Sequence, residues 1–448
     1  MAILVLQNIA LVSYSMTPSP VATMAFDTIS RISAVLLLCL VFCGCEGIGT
    51  FNEAEALAKA IDVALGKVNP DVKVFNVLEY GAKADGTTDS SINFIRTFKA
   101  ACNFNGNAMM VIPEGNFLIG PVIFSGPCLN PSSLIIQANG MVKAQAGLSY
   151  YGVGGDISDW ITFLGIDGLI LSGKGTFHGQ GAEVWKNHDC GNQPNCVRLP
   201  ATLKFIRVNN AIIHGIKTID SKGFHVMISN SQNFELFNLD LQAPGSSPNT
   251  DGIHMSKSNQ VKISDSVIAT GDDCVSMIQG STNITIEKVT CGPGHGFSIG
   301  SLGHYDVEAD VSGITVQNCS LYGTDNGVRI KTYKSETPSK ASGIVFRDII
   351  MTRVRNPIII DQEYGNRQSS QPSKVSISDV QYENIRGTST SKIAVLLLCS
   401  TSNPCQGINM NNVNLEYDGP PMDKLPFSSS CSNAKVAYVG SQSPPACP

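Results

Sequence analysis

Short segments in which apolar and polar residues alternate recur along the chain from about residue 165 to its end. The segments usually follow an Asn, Gly or Gln, and turn-forming residues come within a few positions after each of them. The recurring units are Leu169–Leu171, Ala211–Ile213, Phe234–Leu236, Val261–Ile263, Ile284–Ile286, Ile314–Val316, Ile344–Phe346, Val375–Ile377 and Ile408–Met410. Apart from one longer gap after the first unit, they lie about 23 to 33 residues apart, a spacing typical of solenoid repeats.

No unit of this length can bury its apolar face alone, so neighbouring repeats must stack on one another. Long amphipathic helices do not separate the units, which argues against a βα barrel, and no Trp-Asp signature indicates a propeller. The sequence therefore predicts an all-β, single-domain right-handed parallel β-helix, which is a solenoid. Residues Asp89 to Cys102 have helical periodicity, with Asp89 as the N-cap and Phe94, Ile95 and Phe98 on the apolar face. They predict a short N-terminal capping helix.

The N-terminal region has a different pattern. An apolar run from Ala34 to Val41 follows Arg31, which is typical of a signal peptide, and the run is short for a transmembrane helix. A signal anchor is the alternative. We predict an N-terminal extension and signal peptide over residues 1–46, a propeptide or linker over residues 47–73, and the β-helix domain over residues 74–448.

Composition narrows the classes of partner. The chain has 448 residues, of which 15% are charged, and its formal net charge is −5. A net negative charge gives no indication of nucleic-acid binding. An anionic polymer would need a local basic patch.

The cysteines indicate an oxidising compartment. Of 14 cysteines, Cys39, Cys43 and Cys45 lie at the N-terminal apolar run, and eleven remain. Short separations suggest disulfides between Cys274 and Cys291, Cys399 and Cys405, Cys431 and Cys447, Cys190 and Cys196, and Cys102 and Cys128. Spacing alone does not fix the connectivity. Cys319 would remain as a buried, inert thiol, and sequons at Asn283 and Asn318 fit a secreted chain.

Four polar segments interrupt the repeat. They are Asn249–Asp251, Gly271–Cys274, Gly294–Gly296 and Arg329–Lys331. The first three lie about one repeat apart, and equivalent positions of a parallel coil stack at about 4.8 Å. This spacing predicts that one face presents, in adjacent rows, the side chains of Asp251, Asp272, Asp273, His295, Arg329 and Lys331.

Such a face suits the hydrolysis of an acidic sugar polymer. Glycoside hydrolysis needs one protonated carboxylic acid and a second carboxylate, and crowding of carboxylates raises the pKa of at least one. His295 could adjust the proton affinity of the acid. Arg329 and Lys331 could bind a substrate carboxylate. Each aspartate taken singly could instead cap a turn, and it is the set in register that favours a catalytic site.

The four segments, in this order and spacing, resemble the signature motifs of polygalacturonases, family 28 of the glycoside hydrolases. The resemblance extends from about Val74 to Cys447, and it is greater to the pollen-type exo-acting plant branch than to the fruit-ripening endo branch. It implies inverting hydrolysis of α-1,4-galacturonosidic bonds in de-esterified pectin (polygalacturonate).

The resemblance also implies roles for individual residues. Asp272 would be the general acid, and Asp251 and Asp273 would position and deprotonate water. His295 would tune the acid. Substrate would be bound by Arg329, Lys331, Tyr364 and Asn249. No metal or cofactor is implied, and the expected protein is a secreted cell-wall monomer that binds no nucleic acid and has no stable membrane association after signal removal.

Two departures from the family pattern concern the region after the predicted substrate tyrosine. Family members commonly carry a cysteine directly after it, whereas Gly365 follows here, and Tyr333 stands where plant relatives often have Trp. A pectate lyase-like enzyme, which would need Ca²⁺ and a basic catalytic residue, and a non-catalytic pectin-binding relative remain alternatives. His225 and His254 are interpreted as packing residues, each with one satisfied hydrogen bond. His304 and Tyr305 are placed provisionally at the cleft.

Overall fold

A computed structural model of the protein describes residues 72–152, 158–186, 198–365, 371–420 and 426–447. These residues form 33 strands and two helices, and neighbouring strands pair in parallel. Residues 1–71, which include the predicted signal peptide and almost all of the predicted propeptide, lie outside the described residues. Neither described helix has the length and apolar content to cross a bilayer.

Twenty-two strands form the large sheet, in which two columns of strands run side by side. The first column contains β1 (Lys73–Asn76), β3 (Ala108–Ile112), β6 (Leu134–Ala138), β9 (Asp167–Gly173), β12 (Asn209–His214), β15 (Gln232–Phe237), β18 (Asn259–Ser264), β21 (Thr282–Glu287), β24 (Val311–Gln317), β27 (Lys340–Val354), β29 (Ser376–Ser389), β31 (Cys405–Tyr417) and β33 (Ala434–Ser443). The second contains β2 (Asp85–Asp89), β4 (Asn116–Ile119), β7 (Met141–Ala144), β10 (Thr176–His178), β13 (Lys217–Ile219), β16 (Asp240–Gln242), β19 (Val267–Ala269), β22 (Thr290–Cys291) and β25 (Ser320–Tyr322).

Eleven strands form the small sheet, which closes each coil. They are β5 (Val122–Ser125), β8 (Ile161–Leu164), β11 (Leu203–Ile206), β14 (Val226–Ser229), β17 (Ile253–Ser256), β20 (Val275–Met277), β23 (Phe297–Leu302), β26 (Asn326–Tyr333), β28 (Asn356–Tyr364), β30 (Ile393–Leu398) and β32 (Ser428–Ser432). Most coils thus take one strand from each column and one from the small sheet. The predicted right-handed parallel β-helix is confirmed.

Inward side chains of successive coils stack on one another in the core. Phe163 lies 5.4 Å from Phe124 and 5.0 Å from Phe205, measured between ring centroids, and all three are at most 3% exposed. Alternation with period two places these residues inward and their neighbours outward. Each coil therefore buries its apolar side chains against those of the coils above and below it, which no single repeat could do alone.

Asn and Gln recur at the start of the repeat units because of the backbone conformation required there. Asn210, Asn233, Gln260 and Asn283 have φ of 54°, 56°, 56° and 53°, the left-handed region that Asn adopts more readily than most residues. The side chains also bond from coil to coil, since Asn233 Nδ2 donates to Asn210 Oδ1 at 2.6 Å. The repeated corner residues therefore turn the chain sharply between strands.

One predicted repeat is out of register. Val380, and not Val375, pairs with both Ile344 and Ile408, so Val380–Tyr382 is the unit equivalent to the other eight. Val375 precedes β29, and Asp379, with φ of 54°, interrupts the alternation, so Val375 and Val380 belong to two separate alternating runs. The coils also begin at Lys73, well before the repeat could be recognised in the sequence.

The N-terminal helix, α1, spans Ser91–Cys102 and is followed much later by the short helix α2, Ala182–Trp185. The prediction of Asp89 as N-cap is wrong: Ser90 holds that position, and Asp89 ends β2. Asp89 Oδ1 nevertheless accepts a 2.8 Å hydrogen bond from the Ser91 amide, which explains the misleading signal. Phe94 and Phe98 are buried as predicted, and α1 packs against the first coils.

Four of the suggested disulfides are present, namely Cys102–Cys128, Cys274–Cys291, Cys399–Cys405 and Cys431–Cys447. Cys319 is a buried free thiol, and burial raises its pKa to about 12, which keeps it protonated and unreactive. Cys190 and Cys196 lie outside the described residues.

Replacing Cys274 and Cys291 together by Ser is expected to destabilise the protein by about 3 kcal/mol, because the bond closes a loop of 17 residues in the unfolded chain. Denaturant unfolding measures the change. Cys319→Ala is the matched control and should cost about 1 kcal/mol for one deleted buried atom. Equal losses in the two proteins would contradict the expectation.

Candidate active site

Strand register brings the predicted acidic residues and the histidine into one row. Ile253, Val275 and Phe297 pair in register across β17, β20 and β23. The residues two positions before them are Asp251, Asp273 and His295. They occupy equivalent places in three successive coils, with Asp272 directly beside Asp273.

Asp273 is the most deeply held of the aspartates, at 2% exposure. Its Oδ1 accepts bonds from Arg329 Nη2 at 2.6 Å and Ser298 Oγ at 2.7 Å, and its Oδ2 accepts one from Lys331 Nζ at 2.8 Å. Burial alone would raise the pKa of Asp273, but the charges of Lys331 and Arg329 outweigh burial and hold that pKa below its usual range. This carboxyl group is therefore anionic.

Asp251 has the opposite electrostatic environment. Its Oδ2 accepts a 2.6 Å bond from Ser276 Oγ and lies 3.4 Å from His254 Nδ1. Burial, together with the negative charge of Asp272, raises the pKa of Asp251, and the contact with His254 opposes the shift only in part. The neighbouring aspartates thus have pKa values moved apart, a pattern typical of acid–base sites.

Asp272 is the aspartate most open to solvent, with 18% of its side chain exposed. Its Oδ1 lies 3.1 Å from His295 Nδ1. This contact raises the pKa of His295 above its ordinary value of 6.5, against the opposing effect of burial. His295 therefore holds its proton beside Asp272 to a higher pH than a free imidazole would.

Two glycines on either side of His295 let the chain approach neighbouring backbone closely, Gly294 at Asp272 and Gly296 at Asn326. Gly294 and Gly296 have φ of 147° and 82°, and a Cβ on them would lie 2.8 Å from the Asp272 carbonyl oxygen and 2.2 Å from that of Asn326. The intervening His295 amide donates to the Asp272 carbonyl at 2.7 Å. The Gly-His-Gly segment thus fixes the histidine against the acid by backbone geometry.

The predicted substrate-binding residues fall into two groups. Arg329 and Lys331 are 8% and 6% exposed, and the Tyr364 ring centroid lies 5.8 Å from Arg329 Cζ and 5.1 Å from Lys331 Nζ. Tyr333 packs beside Tyr364, with their ring centroids 5.7 Å apart. Asn249 is exposed at the corner two residues before Asp251, in the left-handed region at φ 50°.

Sequence reasoning missed three residues of the site, His254, Ser276 and Ser298. They pair in register with each other and with Arg329 along the outward face of the small sheet. His254 stacks on Phe224 and bonds Ser276 Oγ at 2.7 Å, which fits the expected packing role with one hydrogen bond, but its place beside Asp251 was not expected. A usable signal existed, since each of the three lies three residues after a member of the acidic row.

The other histidines of interest behave differently. His225 is fully buried and contacts Thr218 Oγ1 through Nδ1 at 2.6 Å, as its interpretation as a packing residue expects. Burial lowers the pKa of His225 to about 3, so it is neutral. The His304 ring lies 4.7 Å from the Tyr305 ring and 5.5 Å from the Tyr333 ring, at the same end as Tyr364.

Donor atoms of Asp272, Asp273 and His295 lie within 4.8 Å of one another, which is compatible with a metal site on distance alone. The charges argue otherwise. Both Asp273 oxygens already accept bonds from Arg329 and Lys331, and a divalent cation would have to displace or adjoin these two positive groups. The donor set therefore fits a metal poorly.

Comparison with known proteins agrees with this geometry. The family model described as glycosyl hydrolases family 28 matches residues 102–442. An exopolygalacturonase from Arabidopsis thaliana is 44% identical over 424 residues, covering 93% of this chain and 96% of its own length. An exopolygalacturonase from Platanus acerifolia is 42% identical over 374 residues, covering 83% and 97%.

Solved structures share the fold. An exopolygalacturonase from Thermotoga maritima aligns with a TM-score of 0.65 at 19% identity, covering 85% of this chain and 95% of that one. A polygalacturonase from Erwinia carotovora ssp. carotovora aligns with a TM-score of 0.63 at 24% identity, covering 78% and 94%. With its β-helix, its acidic row and the family match over most of its length, the chain belongs to family 28 of the glycosyl hydrolases.

Proposed function

We propose that the protein is an exo-acting polygalacturonase that hydrolyses α-1,4-galacturonosidic bonds of de-esterified pectin with inversion at the anomeric carbon. The observation that carries the proposal is that neighbouring aspartates of the site have pKa values shifted in opposite directions. Asp273 is kept anionic by two cations, whereas burial raises the pKa of Asp251. Polygalacturonases and exopolygalacturonases among the similar proteins support the same substrate and mode of action.

Geometry suggests how the aspartates divide the work. Asp272 has 18% of its side chain exposed, against 8% for Asp251 and 2% for Asp273, so it is the member that can reach a glycosidic oxygen and give it a proton. The negative charge of Asp272 is one cause of the raised pKa of Asp251, so these two carboxyls compete for one proton before it is delivered. Ionised Asp251, whose raised pKa makes it the stronger base, takes the proton of the attacking water, and Asp273 helps to hold that water.

Substrate binding follows from the charge near Asp273. Arg329 and Lys331 share a single carboxylate, so one positive charge remains for the carboxylate of a galacturonate. The Tyr364 ring beside them offers a face for the sugar. We include Asn249 among the substrate contacts because it is exposed at the corner leading to Asp251.

Product analysis on polygalacturonic acid at mildly acidic pH tests the proposal. An exo enzyme releases monomer from the outset, and NMR of the first product shows the inverted anomer. A chelator leaves the rate unchanged, and no unsaturated product absorbs in the ultraviolet. Early oligomers would overturn the exo mode, unsaturated products would indicate a lyase, and the absence of new reducing ends would indicate a protein that binds pectin without cutting it.

The alkaline side of the pH profile should depend on His295. The pKa of His295 is raised above 6.5 by Asp272, so its favourable contact is present at lower pH and lost as pH rises through the raised value. We expect kcat to fall over that range, and His295→Gln to be less active and to lack this alkaline limb. His178→Gln, which alters a half-exposed histidine near Asp220, is the control and should keep the limb. An unchanged limb in His295→Gln would contradict the assignment.

We further propose that the protein is secreted to the cell wall and acts as a monomer, without nucleic-acid binding or stable membrane association. Four disulfides support an oxidising compartment. Recovery of the expressed protein from the culture medium and its elution volume in size-exclusion chromatography test these two statements. Retention inside the cell or elution as a dimer would refute them.

A further inference from the structure

A second group of one aspartate, one arginine and one lysine lies on the small sheet. Asp159 is 5% exposed, and both of its oxygens accept bonds from Arg198 Nη2, at 2.8 and 2.9 Å. Lys204 Nζ donates to Asp159 Oδ2 at 2.7 Å, and the Ala201 amide donates to Oδ1 at 2.7 Å. We call Asp159, Arg198 and Lys204 the second trio, because its arrangement repeats that of Asp273, Arg329 and Lys331.

Asp159 of the second trio belongs to the same row as Asp251. Ile161, Leu203, Val226 and Ile253 pair in register across four strands, and the residues two positions before them are Asp159, Ala201, Phe224 and Asp251. Asp159 is therefore three strand steps from Asp251, about 14 Å along the coil axis. It lies on the opposite side of Asp251 from Arg329 and Tyr364.

A continuous line of contacts connects the second trio to the acidic row. Arg198 Cζ lies 5.5 Å from the centroid of the Phe224 ring, which stacks on the His254 ring at 4.2 Å. His254 Nδ1 is in turn 3.4 Å from Asp251 Oδ2. The Arg198 guanidinium group therefore extends from Asp159 toward the acidic row. The rings of Phe224 and His254 lie between it and Asp251.

The charges of the second trio do not balance. Two cations share one carboxylate whose oxygens are already satisfied by four bonds, so one positive charge remains. The cations are accessible, with 36% of the Arg198 side chain and 20% of the Lys204 side chain exposed. A partly buried, pre-positioned cation pair of this kind suits a carboxylate ligand.

We propose that Arg198 and Lys204 bind the carboxylate of a galacturonate of the bound polymer, on the far side of the aspartates from Arg329 and Lys331. The proposal rests on the polygalacturonase function proposed above. The polymer then meets a positively charged group on each side of the aspartates. A neutral or methyl-esterified sugar at the Arg198 end gains nothing from this site.

Arg198→Gln and Lys204→Met test the proposal separately. Each substitution leaves Asp159 paired with the other cation, so the fold is retained. With polygalacturonate and with trigalacturonate, we expect KM to rise about tenfold or more and kcat to change by less than about threefold, as for the loss of a charge-assisted bond to bound substrate. Lys217→Met is the matched control, because it removes an exposed ion pair with Asp240 on the large sheet. It should leave KM unchanged.

Direct binding separates this proposal from the proposed function. In an Asp272→Asn background, calorimetry should show weaker binding of trigalacturonate when Arg198→Gln is added. The fully methyl-esterified trimer should bind equally well with and without Arg198→Gln. Equal affinities for the acidic trimer, or KM values within about twofold of the parent in both single variants, would overturn the second trio as a substrate site. A parent protein that binds trigalacturonate but releases no reducing ends would refute the proposed function alone.

Discussion

Asp272→Asn is expected to lower kcat on polygalacturonate by about 10³-fold, because general acid catalysis contributes a factor of this order and an amide has no proton to give the leaving oxygen. KM should change little, since Asn keeps the shape of the side chain and the acceptor that faces the Asp273 amide. Release of reducing ends under saturating substrate measures the effect.

Asp265→Asn is the matched control for this substitution. Asp265 is half-exposed at a coil corner with φ 47°, a conformation that Asn also adopts, and its nearest cation is Lys288 at 3.9 Å. Its activity should equal that of the unmodified protein. If Asp272→Asn kept more than about a tenth of the parent kcat, the assignment of Asp272 as the general acid would be wrong.

Asp273→Asn is expected to abolish measurable hydrolysis and also to destabilise the fold by about 3–5 kcal/mol, the range found when one partner of a buried ion pair is removed. The substitution leaves Arg329 and Lys331 buried beside each other without their counter-ion. Denaturant unfolding at neutral pH measures the loss. Asp272→Asn, at a more open position, should stay within about 1 kcal/mol of the parent.

The same substitution changes how stability responds to acid. The pKa of Asp273 is lowered on folding from an ordinary value of 3.8, so its contribution is present above that value and is lost as pH falls through the lowered one. In strong acid the parent should therefore lose the part of its free energy of unfolding that comes from ionised Asp273. Asp273→Asn lacks this contribution at every pH. Unfolding curves of the two proteins that converge as pH falls would agree with this linkage, and parallel curves would contradict it.

Much of the fold was predictable because the physical causes of a coil are local. Alternation of apolar residues fixes the faces of each strand, and Asn or Gly at the corners supplies the left-handed conformation. Register was less predictable, as the slip from Val380 to Val375 shows, because Asp379 in the left-handed region restarts the alternation, and Asp was not among the residues expected to precede a repeat unit. The β-helix domain was predicted from residue 74, but its repeat units before residue 165 were not identified, because their strands are separated by α1 and by segments of irregular length.

The candidate site divides in a similar way. The acidic row could be predicted from motif spacing, since Asp251, Asp273 and His295 recur at the coil period. The ion pairs could not, because Arg329 and Lys331 were expected to face substrate alone, and their bonds to Asp273 depend on side-chain directions across three coils. Asp159, Arg198 and Lys204 belong to no motif, and only the folded coil shows that Asp159 shares a row with Asp251 and that both cations bond to Asp159.

The lengths of the coils differ, whereas the positions of the small-sheet strands remain in register. Paired residues are 22 apart from Ile253 to Val275, 31 apart from Phe297 to Val328, and 42 apart from Ile161 to Leu203. The additional residues lie between strands. The acidic row, which is placed by the small-sheet strands, therefore keeps its position while the segments around it vary in length. Insertions and deletions in the segments between strands can therefore change the walls of the cleft, and with them the polysaccharide that fits, without moving the catalytic residues.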